Sequence, residues 1–111
     1  MIAKPRPQLI FEGGFDVREA AESRDRGYRG HVWVEFANGE RYSVVFYDPV
    51  RLQQDLDDEV KEGNPYVAEA GLIVVPEVTK ENMEKAVCLL AEEGFFESLR
   101  PASEHADSQS R

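Results

Sequence analysis

Residues 28–63 read YRGHVWVEFANGERYSVVFYDPVRLQQDLDDEVKEG, and this stretch decides the fold of the chain. β-Branched and aromatic residues dominate positions 31–48 and are interrupted only by Asn38-Gly39, which is the pattern of a β-hairpin. A two-residue turn at Asn38-Gly39 would divide the apolar side chains between the two faces. A three-residue loop over residues 37–39 would collect them on one face and set Glu35 opposite Arg41. We therefore expect the three-residue loop.

The expected hairpin has one apolar face and one mixed face. The apolar face consists of Val32, Val34, Phe36, Tyr42, Val44 and Phe46. The mixed face carries His31, Trp33, Ser43 and Val45. Trp33 is either core covered by a helix, which we favour, or part of an exposed aromatic patch of the kind that anchors protein interfaces.

The hairpin leads directly into a helix predicted over residues 49–62. Asp48 can accept hydrogen bonds from the free N–H groups of the first turn, and Pro49 suits the first helical position. Gly63 and the following Asn64-Pro65 end the helix. Its apolar residues recur every four positions and form one narrow stripe, so most of its circumference should face water. The stripe consists of Leu52, Leu56 and Val60.

The rest of the chain predicts further strands near residues 8–12 and 66–75 and a second helix over residues 80–93 capped by Thr79. The strand near 66–75 should lie parallel to the second hairpin strand and be covered on both faces, with a bulge at Gly71. Phe95, Phe96 and Leu99 either plug the core or start a last strand. The prediction is an α+β domain over residues 8–100 with a mixed sheet, an extended leader over 1–7 and a disordered tail over 101–111.

Residues 15–30 are ambiguous. Asp16 and Glu19 fit a capping box, but the segment offers little apolar surface to bury. We interpret it as a weak helix or a mobile connection. The cluster of Arg24, Arg26 and Arg29 is interpreted as solvated rather than as an anion site.

Composition restricts the class of protein. The 111 residues include 22 Asp and Glu against 13 Lys and Arg, which gives a net charge of −9. Such a charge disfavours binding to nucleic acid and to anionic membranes, and it favours encounter with a basic protein. Solubility alone would also explain it. A single cysteine, Cys88, and no signal-like apolar segment fit a reduced cytoplasmic setting.

Catalytic groupings are absent from the pattern. The two histidines, His31 and His105, have no companion ligands at metal-binding spacing. The acidic run in residues 55–62 lacks the glycine and the alternating donors of a calcium loop, and no phosphate-binding glycine motif is present. We expect no enzyme activity, no cofactor and no metal.

Four acids share one face of the helix over residues 49–62, because they are spaced three and four residues apart. They are Asp55, Asp58, Glu59 and Glu62. Like charges at this spacing repel, so this face serves either solubility or a positive partner.

We expect a small acidic, non-catalytic protein-binding domain that meets a basic partner through these four acids and Trp33. Small inhibitors and immunity-type proteins act in this way, and the comparison is an analogy. The alternative is a structural or accessory subunit that self-associates through the Trp33 face or an edge strand. A third hypothesis is a ligand pocket lined by His31, Trp33 or tyrosines.

Overall fold

The computed structural model describes residues 6–99 and 101 of the chain. A four-stranded sheet has the order β1-β2-β3-β4, in which β3 and β4 are parallel and the other neighbours are antiparallel. The elements in chain order are β1 (Gln8–Phe11), α1 (Val17–Arg26), β2 (Tyr28–Glu35), β3 (Arg41–Tyr47), α2 (Pro49–Lys61), β4 (Leu72–Val74), α3 (Lys80–Glu92) and a short 3₁₀ helix (Phe95–Ser98). The predicted α+β class is confirmed, with three α-helices instead of two. The predicted leader and tail fall largely on residues 1–5 and 102–111, which lie outside the described residues.

The hairpin has the predicted register. Val34 pairs with Tyr42 and Glu35 pairs with Arg41, whose guanidinium lies 3.4 Å from the Glu35 carboxylate. The Phe36 N–H donates to the Glu40 carbonyl at 2.9 Å, which closes the loop over residues 37–39. Gly39 has φ +90°, as the left-handed position of such a loop requires.

The apolar face of the hairpin forms the core together with α3. Met83 and Val87 of α3 are fully buried, and Val78 before the helix is buried beside them. The Asn82 N–H donates to the Thr79 hydroxyl at 3.2 Å, so the predicted cap is confirmed. Phe96 is 3% exposed, which makes the 3₁₀ helix a plug of the core and not a further strand.

α1 is a regular helix, although its sequence offers little to bury. The Glu19 N–H donates to the Asp16 carboxylate at 2.8 Å, which begins the helix. Arg29 of β2 holds it to the sheet: Nη1 donates to the Glu19 carboxylate at 2.6 Å, and the guanidinium stacks 5.4 Å from the rings of both Phe11 and Phe15. A largely covered arginine, 12% exposed, therefore supplies the attachment that apolar residues do not.

α2 lies on the opposite face of the sheet. The Arg51 N–H donates to the Asp48 carboxylate at 2.8 Å, which confirms the predicted cap. None of its residues is fully buried. The Arg51 guanidinium stacks 5.0 Å from the Tyr28 ring, and Tyr28 in turn packs edge-on against Tyr47 at 5.1 Å. These contacts cover the end of this face where β2 begins and β3 ends.

β4 is shorter and less covered than predicted. It spans three residues, Leu72–Val74, while residues 66–71 form a loop. Val74 is 47% exposed, so the expectation of cover on both faces is wrong for an edge strand. No register shift marks a bulge at Gly71 within the described pairing. Gly71 has φ +80° instead, and a Cβ there would overlap the Ser43 carbonyl oxygen.

Candidate functional site

One end of the sheet face that carries α2 is left without a helix. In the middle of this end Ile10, Trp33 and Ser43 lie side by side across β1, β2 and β3. Trp33 and Ser43 border a depression of about 590 Å³, here called the Trp33 depression. Its lining is Glu12, Tyr28, Gly30, His31, Trp33, Ser43, Val44, Val45, Glu69 and Ala70. Strands and loops supply all of these residues, so the helix cover that we favoured for Trp33 is absent from the described part of the chain, and Trp33 is half-buried.

His31 lies at an irregularity of β2, where the pairing with β3 shifts between Arg29 and Val32. Its φ of +56° is the one positive value of a non-glycine residue within residues 6–99. The bend directs the imidazole toward the end of β1, where Nδ1 lies 3.2 Å from the Glu12 carboxylate. Both side chains are mostly exposed, 80% for His31 and 62% for Glu12, so water screens the pair.

The His31–Glu12 pair meets one requirement of acid–base chemistry, because a carboxylate orients an imidazole at the rim of a depression. Ser43 lines the same depression, but its hydroxyl makes no hydrogen bond to His31 in the described structure. The arrangement therefore provides a polar rim and not an assembled nucleophile. His105 lies outside the described residues.

The four acids predicted on α2 have different environments. Asp55 is 29% exposed and lies 3.0 Å from Arg51 Nε, so its charge is partly compensated. Glu59 accepts a hydrogen bond from the Asn64 amide at 2.9 Å. Asp58 and Glu62 are exposed. Asp55, Asp58 and Glu59 line a second depression, and Glu62 lies outside it at the end of the helix.

This second depression, of about 450 Å³ and here called the α2 depression, lies between α2 and the loop before β4. Its remaining lining is Tyr47, Tyr66, Val67, Ala68 and Glu69. Burial, followed by the nearby carboxylates of Asp55 and Glu69, raises the pKa of Tyr47 to about 12. Its phenol is therefore neutral throughout the physiological range.

Glu69 borders both depressions, so the Trp33 depression and the α2 depression adjoin on one face of the sheet. Sequence reasoning missed Glu69 and Glu12. Glu69 lies in an irregular loop without periodicity. Glu12 reaches His31 only because β1 pairs with β2, where the Glu12 N–H donates to the His31 carbonyl at 3.1 Å.

The basic cluster divides between two roles. Arg24 lies 3.6 Å from Glu77 with both side chains exposed, which fits the predicted solvated state. Arg29 is only 12% exposed and is occupied by its contacts to α1, so the interpretation of a solvated residue is wrong there. Its Nε is buried without a hydrogen-bond partner.

A further depression of about 380 Å³ lies between the hairpin loop and the end of α3, with Phe36, Tyr42 and Phe96 in its wall. Tyr42 donates to the Glu40 carboxylate at 3.0 Å, and burial, followed by this hydrogen bond, raises the pKa of Tyr42. Cys88 lines a separate depression beside Leu9 of β1. Within residues 6–99, no three His, Cys, Asp or Glu side chains are grouped closely enough to hold a metal ion. None of the helices described is both long and apolar enough to cross a bilayer.

No protein-family model matches the chain, and neither a curated protein nor a solved structure matches it.

Proposed function

We propose that this chain is a non-catalytic binding domain for a positively charged protein, which it engages through the adjoining α2 and Trp33 depressions. The observation that carries the proposal is the position of Glu69, which joins the acids of α2 to the single tryptophan on one face of the sheet. Acidic side chains speed the encounter with a basic partner, and a half-buried aromatic ring supplies an anchor.

The acids contribute unequally to this function. Asp55 is held by Arg51 and adds little net field. Asp58 and Glu62 are exposed and have no ion-pair partner within the described residues, so their charges act on an approaching partner in full. A small inhibitor or immunity-type protein would use such a surface against a basic enzyme, and a reduced cytoplasmic setting suits the unpaired cysteine.

The test reverses the two exposed acids of α2 and compares them with two acids elsewhere. Asp58→Lys with Glu62→Lys changes the net charge by +4, and Glu92→Lys with Glu93→Lys makes the same change at the exposed end of α3. All of these side chains are exposed, so both variants should fold. Partners captured from the source cell by the native protein are identified by mass spectrometry, and their association rates are measured at several ionic strengths.

We expect a basic partner whose association with the α2 variant is slower by roughly 10-fold or more at low salt, while the α3 variant is slowed much less. The difference should shrink as salt rises, because exposed charges are screened. Equal slowing by both variants, or a captured partner without a basic surface, would contradict the proposal.

Self-association is a second candidate function, and the sheet topology favours it. β1 is an edge strand, and no strand within residues 6–99 pairs with its outer side. Two copies could pair there antiparallel about a two-fold axis. Sedimentation velocity across a hundredfold range of concentration separates the two: a stable dimer supports self-association, and a monomer throughout excludes it.

A further inference from the structure

The floor of the Trp33 depression is built on rigid elements. Trp33 and Ser43 lie in the regular part of the pairing between β2 and β3. The Tyr28 hydroxyl lies close against Gly30, since a Cβ at that position would lie 2.6 Å from the hydroxyl oxygen. Side chains placed on paired strands hold their positions better than side chains on loops, so Trp33 offers a fixed ring to a ligand, while Glu12 and Glu69 lie just outside the strands.

The aromatic wall suits a flat cation. In this fold arginine already stacks on aromatic rings, since Arg51 covers Tyr28 at 5.0 Å and Arg29 lies 5.4 Å from Phe11. The Tyr28 ring is thereby occupied on one side. Trp33 is the single tryptophan and presents the strongest π face of any side chain type, without a cation stacked on it among the described residues.

The charges around the depression are of one sign. Glu12 and Glu69 both line it, and no lysine or arginine from residues 6–99 does so. His31 faces Glu12 from the same rim, and its contact is exposed to water. A guanidinium can stack on an indole and donate two hydrogen bonds to a carboxylate at the same time, which an ammonium cannot do.

We infer that the Trp33 depression binds an arginine side chain of the basic partner, stacked on Trp33 and held by Glu12 and Glu69. This inference rests on the proposed function and names the residue type that the partner inserts. A second copy of this chain is a poorer occupant, because a net charge of −9 on each copy opposes the approach.

The single tryptophan makes the inference directly testable, because its fluorescence and its indole N–H signal report only this site. The probes are three hexapeptides of arginine, lysine and citrulline, where citrulline keeps the shape of arginine without its charge. We expect the arginine peptide to shift both Trp33 signals in a saturable way, the lysine peptide to bind at least about threefold more weakly, and the citrulline peptide to leave the signals unchanged.

A matched pair of variants locates the charge requirement. The double variant Glu12→Gln with Glu69→Gln should lower the affinity for the arginine peptide by roughly five- to twentyfold, as expected for the loss of two solvent-exposed ion pairs. Glu92→Gln with Glu93→Gln removes the same charge from α3 and should change the affinity by less than about twofold. Because all four residues are exposed, circular dichroism should show an unchanged fold.

The outcome separates this inference from the proposed function. If the citrulline peptide binds as well as arginine, if Trp33 does not respond, or if the two variant pairs behave alike, the arginine site is excluded. The proposed function would still stand if reversal of Asp58 and Glu62 slowed a basic partner. If that reversal has no effect while the peptide results hold, the depression binds arginine but α2 is not the steering surface.

Discussion

Gly71 is the position where a single methyl group should disturb the fold most. Its φ of +80° favours glycine, and a Cβ there would overlap the Ser43 carbonyl oxygen and approach the Val44 Cα to 3.1 Å. Relief requires the two backbones to separate by on the order of 1 Å to restore ordinary contact. That movement would break the bond from the Val45 N–H to the Gly71 carbonyl, now 3.0 Å, beside the pairing of β3 with β4.

Gly39 supplies the matched control for Gly71→Ala. Its φ is +90°, yet nothing lies within 4 Å of a Cβ built there. Gly39→Ala therefore measures only the cost of placing a side chain at a positive φ, which should lower the free energy of unfolding by about 1 kcal/mol. Gly71→Ala adds the steric overlap and the lost hydrogen bond, so it should lower the free energy of unfolding by roughly 3–5 kcal/mol.

Urea unfolding followed by circular dichroism gives both free energies of unfolding. Thermal unfolding should show a Tm lowered by about 4–8 °C for Gly39→Ala and by more than about 12 °C for Gly71→Ala. Amide exchange at Val45 should accelerate only in the Gly71 variant. If the free energies of unfolding of the two variants agree within about 0.5 kcal/mol, the loop before β4 does not approach β3 as closely as the structure has it.

Three further predictions concern packing, attachment and titration. Met83→Ala, at a fully buried position, should lower the free energy of unfolding in urea by about 2–5 kcal/mol. Leu89→Ala, at a residue that is 50% exposed, should lower it by less than about 1 kcal/mol. Equal effects of the two substitutions would contradict the packing of α3. Arg29→Ala should lower the free energy of unfolding by about 2 kcal/mol, because the charged hydrogen bond to Glu19 of α1 is lost. Amide exchange should then accelerate more in α1 than in α3. An equal increase of exchange in both helices would contradict the attachment of α1 through Arg29. Tyr47 should titrate near pH 12 when followed by ultraviolet absorption. Because folding raises its pKa from 10 to about 12, the contribution of Tyr47 to the free energy of unfolding is complete below pH 10 and is lost as the pH rises toward 12. Asp55→Asn should lower this pKa only part of the way toward 10, because burial is the larger cause, and an unchanged value would exclude the carboxylate as a cause.

Much of the fold is predictable from local pattern. The register of the hairpin follows from a period of two and one loop length, and the starts of α2 and α3 follow from the hydrogen bonds of Asp48 and Thr79 to the N–H groups three residues on. In each case the interacting groups are close along the chain. Their geometry is therefore independent of what packs around them.

The candidate site is only partly predictable. The spacing of Asp55, Asp58 and Glu59 placed them together on one face of a helix, and they line one depression. The four-residue spacing of Arg51 and Asp55 could have indicated that Arg51 compensates Asp55, but no spacing could indicate that Glu69 joins this depression to Trp33. Glu69 is far from Trp33 in sequence and is brought near it by the loop that precedes β4.

The sequence by itself determined the hairpin, the two faces of its strands and the starts of α2 and α3, because side-chain periodicity and helix capping are local properties. Only the tertiary structure decided what covers each face. It attached α1 through Arg29, left Val74 on an edge strand and kept helices away from Trp33. Cover depends on the order of strands and on contacts between residues far apart in the chain, and no periodic pattern encodes those contacts.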